Sequence, residues 1–286
     1  MNDVTAGDHG LVVLTDLDGT LLDAHTFDWS PAAPLLERLH QLGIPVIPVT
    51  SRTRAEVDVL RRETGLRGPA IVENGSAIVD LTPPPAGPGR PALHAVTASG
   101  TIIIGCTFEE SRFALQALNQ RLGVPLRSLS MMTIGEIEAV TGLEGDAAKL
   151  AAAREFGEVI VPPRGLAFAH AISATLALGF QLIAGDRFWH LVGRDTDKGR
   201  ATRVLLEQLS QHTPGLLSVG LGNGPSDAGV LEAADIAIVV PGDDGPHPAL
   251  AGRGWRVAPF PGPAGWAAGL AAILDEQRQL AHGRAH

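Results

Sequence analysis

The chain has 286 residues, 45% of them apolar and 19% charged, which is enough to bury a core and excludes a disordered chain. Its net charge of −9 comes without a long basic run, which excludes a nucleic-acid groove of clustered Lys and Arg. One cysteine, Cys106, excludes a disulfide framework and cysteine-based metal sites, and the opening MNDVTAGDHG lacks a secretory pattern.

No apolar run reaches bilayer length, so a cytoplasmic protein with no membrane partner is expected. Residues 11–15, LVVLT, predict a short buried strand. A helix is expected over 30–42, with Ser30 as N-cap, Pro31 at the first helical position and Gly43 ending it. IPVIPV at 44–49 predicts a strand that contains two prolines. Thr53 opens the next helix, with Glu56 three residues on completing a capping box. Residues 69–79 predict short strands around Glu73-Asn74-Gly75, with Asn-Gly as the turn. The Pro/Gly-rich 82–91 reads as a linker or exposed loop.

A different rhythm follows. A strand is expected at 101–105, helices at 109–122, 133–141 and 146–156, and a strand near 158–161. A helix at 166–178 and strands at 180–184 and 188–192 complete a small helix-covered sheet. Asp197 caps a helix over 197–211, followed by a strand (216–221), a helix (226–233), a strand (235–240) and a last helix (263–280). Strand–helix alternation at both ends predicts an α/β fold, a doubly wound parallel sheet formed by 1–83 and 193–286. The stretch 84–192 is then an inserted α+β domain.

The chemistry concentrates in Asp16-Leu17-Asp18-Gly19-Thr20-Leu21-Leu22, directly after the first strand. Open α/β sheets bind ligands beyond the carboxyl ends of their strands. Two carboxylates there can hold a hard cation through oxygen, one attacking phosphorus and the other moving the leaving-group proton. Gly19 lets the chain turn beside the ligand. An isolated Asp-x-Asp also reads as a solvated turn; the whole string after an apolar strand favours the site.

This string resembles the first motif of the haloacid-dehalogenase superfamily. The resemblance implies a Rossmann-like core with Asp16 as nucleophile and Asp18 as acid/base. It also implies Thr50, in Val49-Thr50-Ser51-Arg52, as a phosphoryl hydrogen-bond donor, with Ser51 and Arg52 beside the substrate. Lys198, in Asp197-Lys198-Gly199, matches the lysine of the third motif near a helix N-terminus suited to an anion. The fourth motif corresponds to Gly222-Asn223-Gly224-Pro225-Ser226-Asp227. The implied Mg²⁺ ligands are Asp16, Asp18, Asn223 and Asp227. Asn223 stands where the family carries an acid, which predicts weaker metal binding.

An insertion between the second and third motifs resembles the larger cap of the sugar phosphatases. TDLDGTLLDAHTFDWSPAAPLLERL, ENG at 73–75, GDRFWHLVGRDTDKGRA and PGPAGWAAGL resemble the mannosyl-3-phosphoglycerate phosphatase branch. A sugar phosphate partner is therefore implied, mannosyl-3-phosphoglycerate first. The glucosyl analogue, a general sugar-phosphate phosphatase, a phosphomutase and a metal-poor binding homologue are the alternatives. Arg154, Arg164 and Arg187 are candidates for a substrate carboxylate, or plain surface arginines. Glu73 and Asn74 are candidates for sugar hydroxyls, or a plain turn. His25 suits packing better than catalysis, and none of the 10 histidines pairs at metal-site spacing.

Overall fold

The computed structural model describes residues 10–82, 96–185 and 187–284. All but the first residue of the expected linker at 82–91 lies outside them. The first half forms β1 (Leu11–Thr15), α1 (Ala33–Gln41), β2 (Val46–Pro48), α2 (Arg54–Thr64), β3 (Ala70–Val72), β4 (Ala77–Val79), β5 (Ile102–Ile103), α3 (Phe108–Leu122), β6 (Arg127–Ser128) and α4 (Ile134–Thr141). Then come α5 (Asp146–Ala152), β7 (Glu158–Val161), α6 (Phe168–Leu176), β8 (Phe180–Ala184), β9 (Trp189–Gly193), α7 (Lys198–Ser210), β10 (Leu217–Gly222), α8 (Ala228–Ala233), β11 (Ile236–Val239), β12 (Arg256–Val257) and α9 (Gly262–Arg284). Contacts divide the chain into two compact units. The first is Met1–Thr50, Thr64–Gly68 and Thr202–His286; the second is Ser51–Glu63 and Pro69–Ala201. The sequence reading sets its boundaries at 83/84 and 192/193; the contact units change over at 50/51, 63/64, 68/69 and 201/202.

The first unit is built on a parallel five-stranded sheet of order β12-β11-β10-β1-β2. Val12, Val13 and Leu14 of β1 are fully buried, as a strand covered on both faces requires. Both faces are covered at β11, where successive side chains point opposite ways. Ala237 and Val239 pack with Leu231 of α8. Between them, Ile238 lies against Gly269 of α9. The sheet is thus doubly wound, as the alternation predicts. The proline-containing strand is shorter than expected, three residues ending at Pro48, and it lies at the sheet edge. Proline is tolerated there because an edge strand leaves one row of N–H groups unused.

One cap differs from expectation. Ser30 begins a short 3-10 turn (Ser30–Ala32) ahead of α1, and Trp29, not Ser30, holds the N-cap position. The reason is Asp28, whose carboxylate accepts from the Ser30 amide at 3.0 Å and the Ser30 hydroxyl at 2.7 Å. These bonds hold the Asp28 carboxyl below its ordinary range. The stronger acceptor two residues upstream has taken the capping role.

The second unit holds two antiparallel sheets, β3-β4-β5 and β6-β7-β9-β8. In the larger one, Ile160, Leu182, Trp189 and Leu191 pack on Leu115 and Leu118 of α3 and Ala171 and Ala174 of α6. Val159, pointing the other way along β7, packs with Ile137 of α4 and Ala148 of α5. Helices α3 and α4 start on capping boxes, Thr107 with Glu110 and Thr133 with Glu136. Helix α5 stops at Ala152, short of the expected 156, because the amides of Glu155 and Phe156 are drawn onto the carboxylate of Glu73.

Candidate active site

In the first unit, three neighbouring strands end level with one another. Thr15 pairs with Pro48 of β2 on one side and with Leu221 of β10 on the other. Asp16, Thr50 and Asn223 therefore emerge from the same sheet edge, the carboxyl edge where open α/β sheets hold ligands. Asp16 is 6% exposed, and Thr50 is fully buried. The Asp16 amide donates to the Leu221 carbonyl at 2.9 Å. Its Oδ2 accepts from the Thr20 hydroxyl at 3.2 Å.

The turn that follows is closed by backbone bonds from Thr20 N and Leu22 N to Leu17 O, at 3.0 and 2.8 Å. Gly19 has φ +78°, and a Cβ on it would stand 2.3 Å from Asn223 Nδ2. The Asp16–Asp18 turn and the Asn223 side chain are thus in contact, and only glycine permits it. Asp227 is 1% exposed, and its Oδ2 accepts from the amides of Asn223 and Gly224, each at 3.0 Å. That oxygen shapes the loop that presents Asn223.

The chain-terminal side of the same unit reaches this edge as well. Trp266, fully buried, donates from Nε1 to the Thr15 hydroxyl at 2.9 Å. That hydroxyl in turn donates to the Asp16 carbonyl at 2.7 Å. The motif reading did not single out this residue, although it lies in PGPAGWAAGL, one of the stretches that carried the resemblance.

The donor set fits a hard divalent cation. Asp16 and Asp18 are carboxylates on one turn, and the Asn223 side chain that meets this turn through Nδ2 also carries a neutral amide oxygen; such cations prefer oxygen ligands. With Asn223 uncharged, fewer acids gather here than the family pattern would supply. Among the described residues, no group of three or more His, Cys, Asp or Glu is placed to hold a metal.

The remaining candidates belong to the second unit. Lys198 is the first residue of α7 and is 4% exposed. Asp197 caps that helix, its Oδ1 accepting from the Arg200 amide at 2.8 Å. The Glu73-Asn74-Gly75 turn sits against this point: a Cβ on Gly75 would lie 2.3 Å from the Asp197 carbonyl oxygen and 2.7 Å from the Lys198 amide nitrogen. Asn74 is 7% exposed, and its Nδ2 has no hydrogen-bond partner.

Glu73 is fully buried, and its carboxylate is occupied by the chain itself. It accepts from Arg154 Nε at 3.1 Å, Glu155 N at 2.7 Å and Phe156 N at 3.2 Å. Arg154 Nη1 donates to Ser51 O at 3.3 Å, and the Glu73 amide donates to Arg52 O at 3.0 Å. The structure thus gathers Ser51, Arg52, Glu73, Arg154 and, through Gly75, Lys198. Arg187 is engaged elsewhere, donating from Nη2 to Thr141 O at the end of α4 at 2.7 Å and stacking over Phe188. His190 in β9 is pushed down to about 3, by burial first and by the charge of Arg154 second. Residues 81 apart in sequence form the Glu73–Arg154 pair, which no local pattern announces.

A family model of haloacid dehalogenase-like hydrolases matches residues 13–83, which hold this edge's first acids. Over 269 residues, the chain is 32% identical to a glucosyl-3-phosphoglycerate/mannosyl-3-phosphoglycerate phosphatase of Persephonella marina, covering 93% of this chain and 98% of that one. The chain belongs to the haloacid dehalogenase-like hydrolase family.

Solved structures agree on the fold. A Thermotoga maritima protein superposes with a TM-score of 0.65 at 15% identity, covering 93% of this chain and 96% of that one. The sucrose-phosphatase of Synechocystis, solved with sucrose and phosphate, superposes with a TM-score of 0.58 at 15% identity, covering 93% and 98%. Among the described residues, no helix is long and apolar enough to cross a membrane.

Proposed function

We propose that the chain is a phosphomonoester hydrolase that works through a phospho-aspartate on Asp16 and takes glycosyl-3-phosphoglycerates, mannosyl-3-phosphoglycerate first. The observation that carries the chemistry is Asp16, a buried carboxylate at the carboxyl end of β1 with its turn pinned by Thr20 and Leu22. The substrate reading is supported by the Persephonella relative, a glucosyl-3-phosphoglycerate/mannosyl-3-phosphoglycerate phosphatase.

In this reading a carboxylate oxygen of Asp16 attacks phosphorus, and the bond from phosphorus to the glycerate oxygen breaks. Asp18 gives that oxygen its proton. Asp18 then takes a proton from water, the water oxygen attacks phosphorus, and inorganic phosphate leaves with the Asp16 carboxylate restored. Thr50 and Lys198 bind phosphoryl oxygens, and Ser51 and Arg52 extend that contact. Asp16, Asp18, Asn223 and Asp227 would hold Mg²⁺, Asp227 also fixing the loop behind Asn223. The ion, when bound, neutralises charge between the carboxylates and the phosphoryl group. Substrate selection is assigned to the inserted segment 84–192, and the proposed setting is the cytoplasm.

The test is release of phosphate from mannosyl- and glucosyl-3-phosphoglycerate with Mg²⁺, beside Asp16→Asn and a panel of other sugar phosphates. Release from the two glycosyl phosphoglycerates and none from Asp16→Asn is expected. Equal rates across the panel would overturn the substrate assignment, and full activity of Asp16→Asn the nucleophile. Asn223 favours one second reading, a metal-poor homologue that binds sugar phosphates without turnover. Its signature is an inactive wild-type chain and an active Asn223→Asp variant.

A further inference from the structure

The Glu73-Asn74-Gly75 turn runs through three consecutive residues of positive φ, +50°, +61° and +89°. For the two that carry a Cβ, this conformation is strained, and it persists only where surroundings impose it. All three are buried. The surroundings impose it from three directions. The Glu73 amide is bound to Arg52 O. The Glu73 carboxylate holds Arg154 and the amides of Glu155 and Phe156, and Arg154 carries the tie on to Ser51 O. Gly75 lies so close to Asp197 and Lys198 that no side chain fits between. One turn is therefore anchored on the backbone just after Thr50 and seats the residue that begins α7.

We propose that this turn is a positioning element for phosphoryl transfer: Glu73, Arg154 and Gly75 fix the Ser51–Arg52 backbone and Lys198, and touch no substrate themselves. The inference rests on the phosphatase reading above and reassigns two of its sequence candidates. The carboxylate of Glu73 and the Nε and Nη1 of Arg154 are spent on the chain, so sugar and carboxylate recognition falls to other groups. Gly75 acts by absence, since any larger residue displaces the start of α7.

Three variants of the full chain separate positioning from bulk stability. Gly75→Ala is expected to lower kcat about a hundredfold, the effect of moving a reacting group by about 1 Å, and to raise KM by a much smaller factor as the phosphoryl contacts loosen. Glu73→Gln leaves the Arg154 charge buried and lowers both kcat and the thermal midpoint. Combining Glu73→Gln with Arg154→Met removes both charges, so the midpoint recovers. Turnover stays low in that chain, because Ser51 O has lost its anchor. Recovery of kcat together with the midpoint would overturn the proposal, as would a Gly75→Ala enzyme whose KM rises while kcat holds. Failure of all three to fold would mark a folding element and overturn it equally.

Calorimetric titration with inorganic phosphate reads the same effect without turnover. Affinity is expected to weaken in Gly75→Ala and in the doubly substituted chain, and unchanged affinity overturns the proposal. A wild-type chain that binds phosphate yet hydrolyses no glycosyl phosphoglycerate sinks the substrate reading alone, leaving the positioning effect legible in the titration.

Discussion

Trp266 donates its indole N–H to the hydroxyl of Thr15 at 2.9 Å, and Thr15 passes a hydrogen bond to the carbonyl of Asp16. Helix α9 thereby reaches the residue beside Asp16 from 251 positions away in sequence. Trp266→Phe keeps most of the packing and removes the donor, so the buried Thr15 hydroxyl loses a partner. A loss of about 1–3 kcal/mol is expected. Urea unfolding of wild type and variant checks it; an unchanged midpoint would show that the bond contributes nothing net.

Gly19→Ala adds a methyl where the structure has the Asn223 amide 2.3 Å away, in a residue at φ +78°. Either the turn or Asn223 has to move. The aspartates and the amide then no longer converge, and kcat is expected to fall about a hundredfold. The fold should survive with a lowered midpoint, because the clash lies at the sheet edge. Steady-state kinetics with circular dichroism decides; wild-type kcat in a folded variant refutes the account.

Asn223→Asp puts a charged oxygen donor beside Asp16 and Asp18. The Mg²⁺ concentration for half-maximal phosphate release is expected to drop about tenfold, the equivalent of about 1.4 kcal/mol. Chelation with EDTA should abolish release in both chains and added Mg²⁺ restore it. An Asn223→Asp variant that needs as much Mg²⁺ as wild type would show that residue 223 stands outside the metal shell.

His190 sets a pH dependence in the second unit. Its folded pKa is depressed to about 3, by burial and then by Arg154, below the ordinary 6.5. Below pH 6.5 the unfolded chain takes up a proton that the folded chain refuses, so stability falls as pH drops from 6.5 towards 3. The slope from this group is at most about 1.4 kcal/mol per pH unit. His190→Gln should flatten the urea midpoint between pH 7 and 5 (about the upper half of that window). An equally steep profile in the variant would assign the loss to other groups.

Much of the candidate edge's local structure is legible in the sequence because it is local. An apolar run followed at once by Asp-Leu-Asp-Gly-Thr states strand, turn and acids within a few residues, and β1 ends where the run does. The Thr53–Glu56 box was equally readable, both its hydrogen bonds lying within one turn. What stayed hidden is carried by contacts distant in sequence. Nothing near Glu73 announces Arg154 or the two amides that complete its shell, so the pair read as separate substrate candidates. Helix α5 was overextended for the same reason: local propensity favoured continuation, and a tertiary acceptor ended it. Ser30 was misplaced as a cap because Asp28 competes from two residues away.

The proline at the β2 margin of the sheet has a further use. β2 is an outer strand, and Pro48 within it has no N–H to offer. At the opposite margin, β12 is only two residues long. Neither margin presents the long row of free donors and acceptors that templates intermolecular pairing. The sheet thus blunts both flanks against fibrous association, one by a missing donor and the other by brevity.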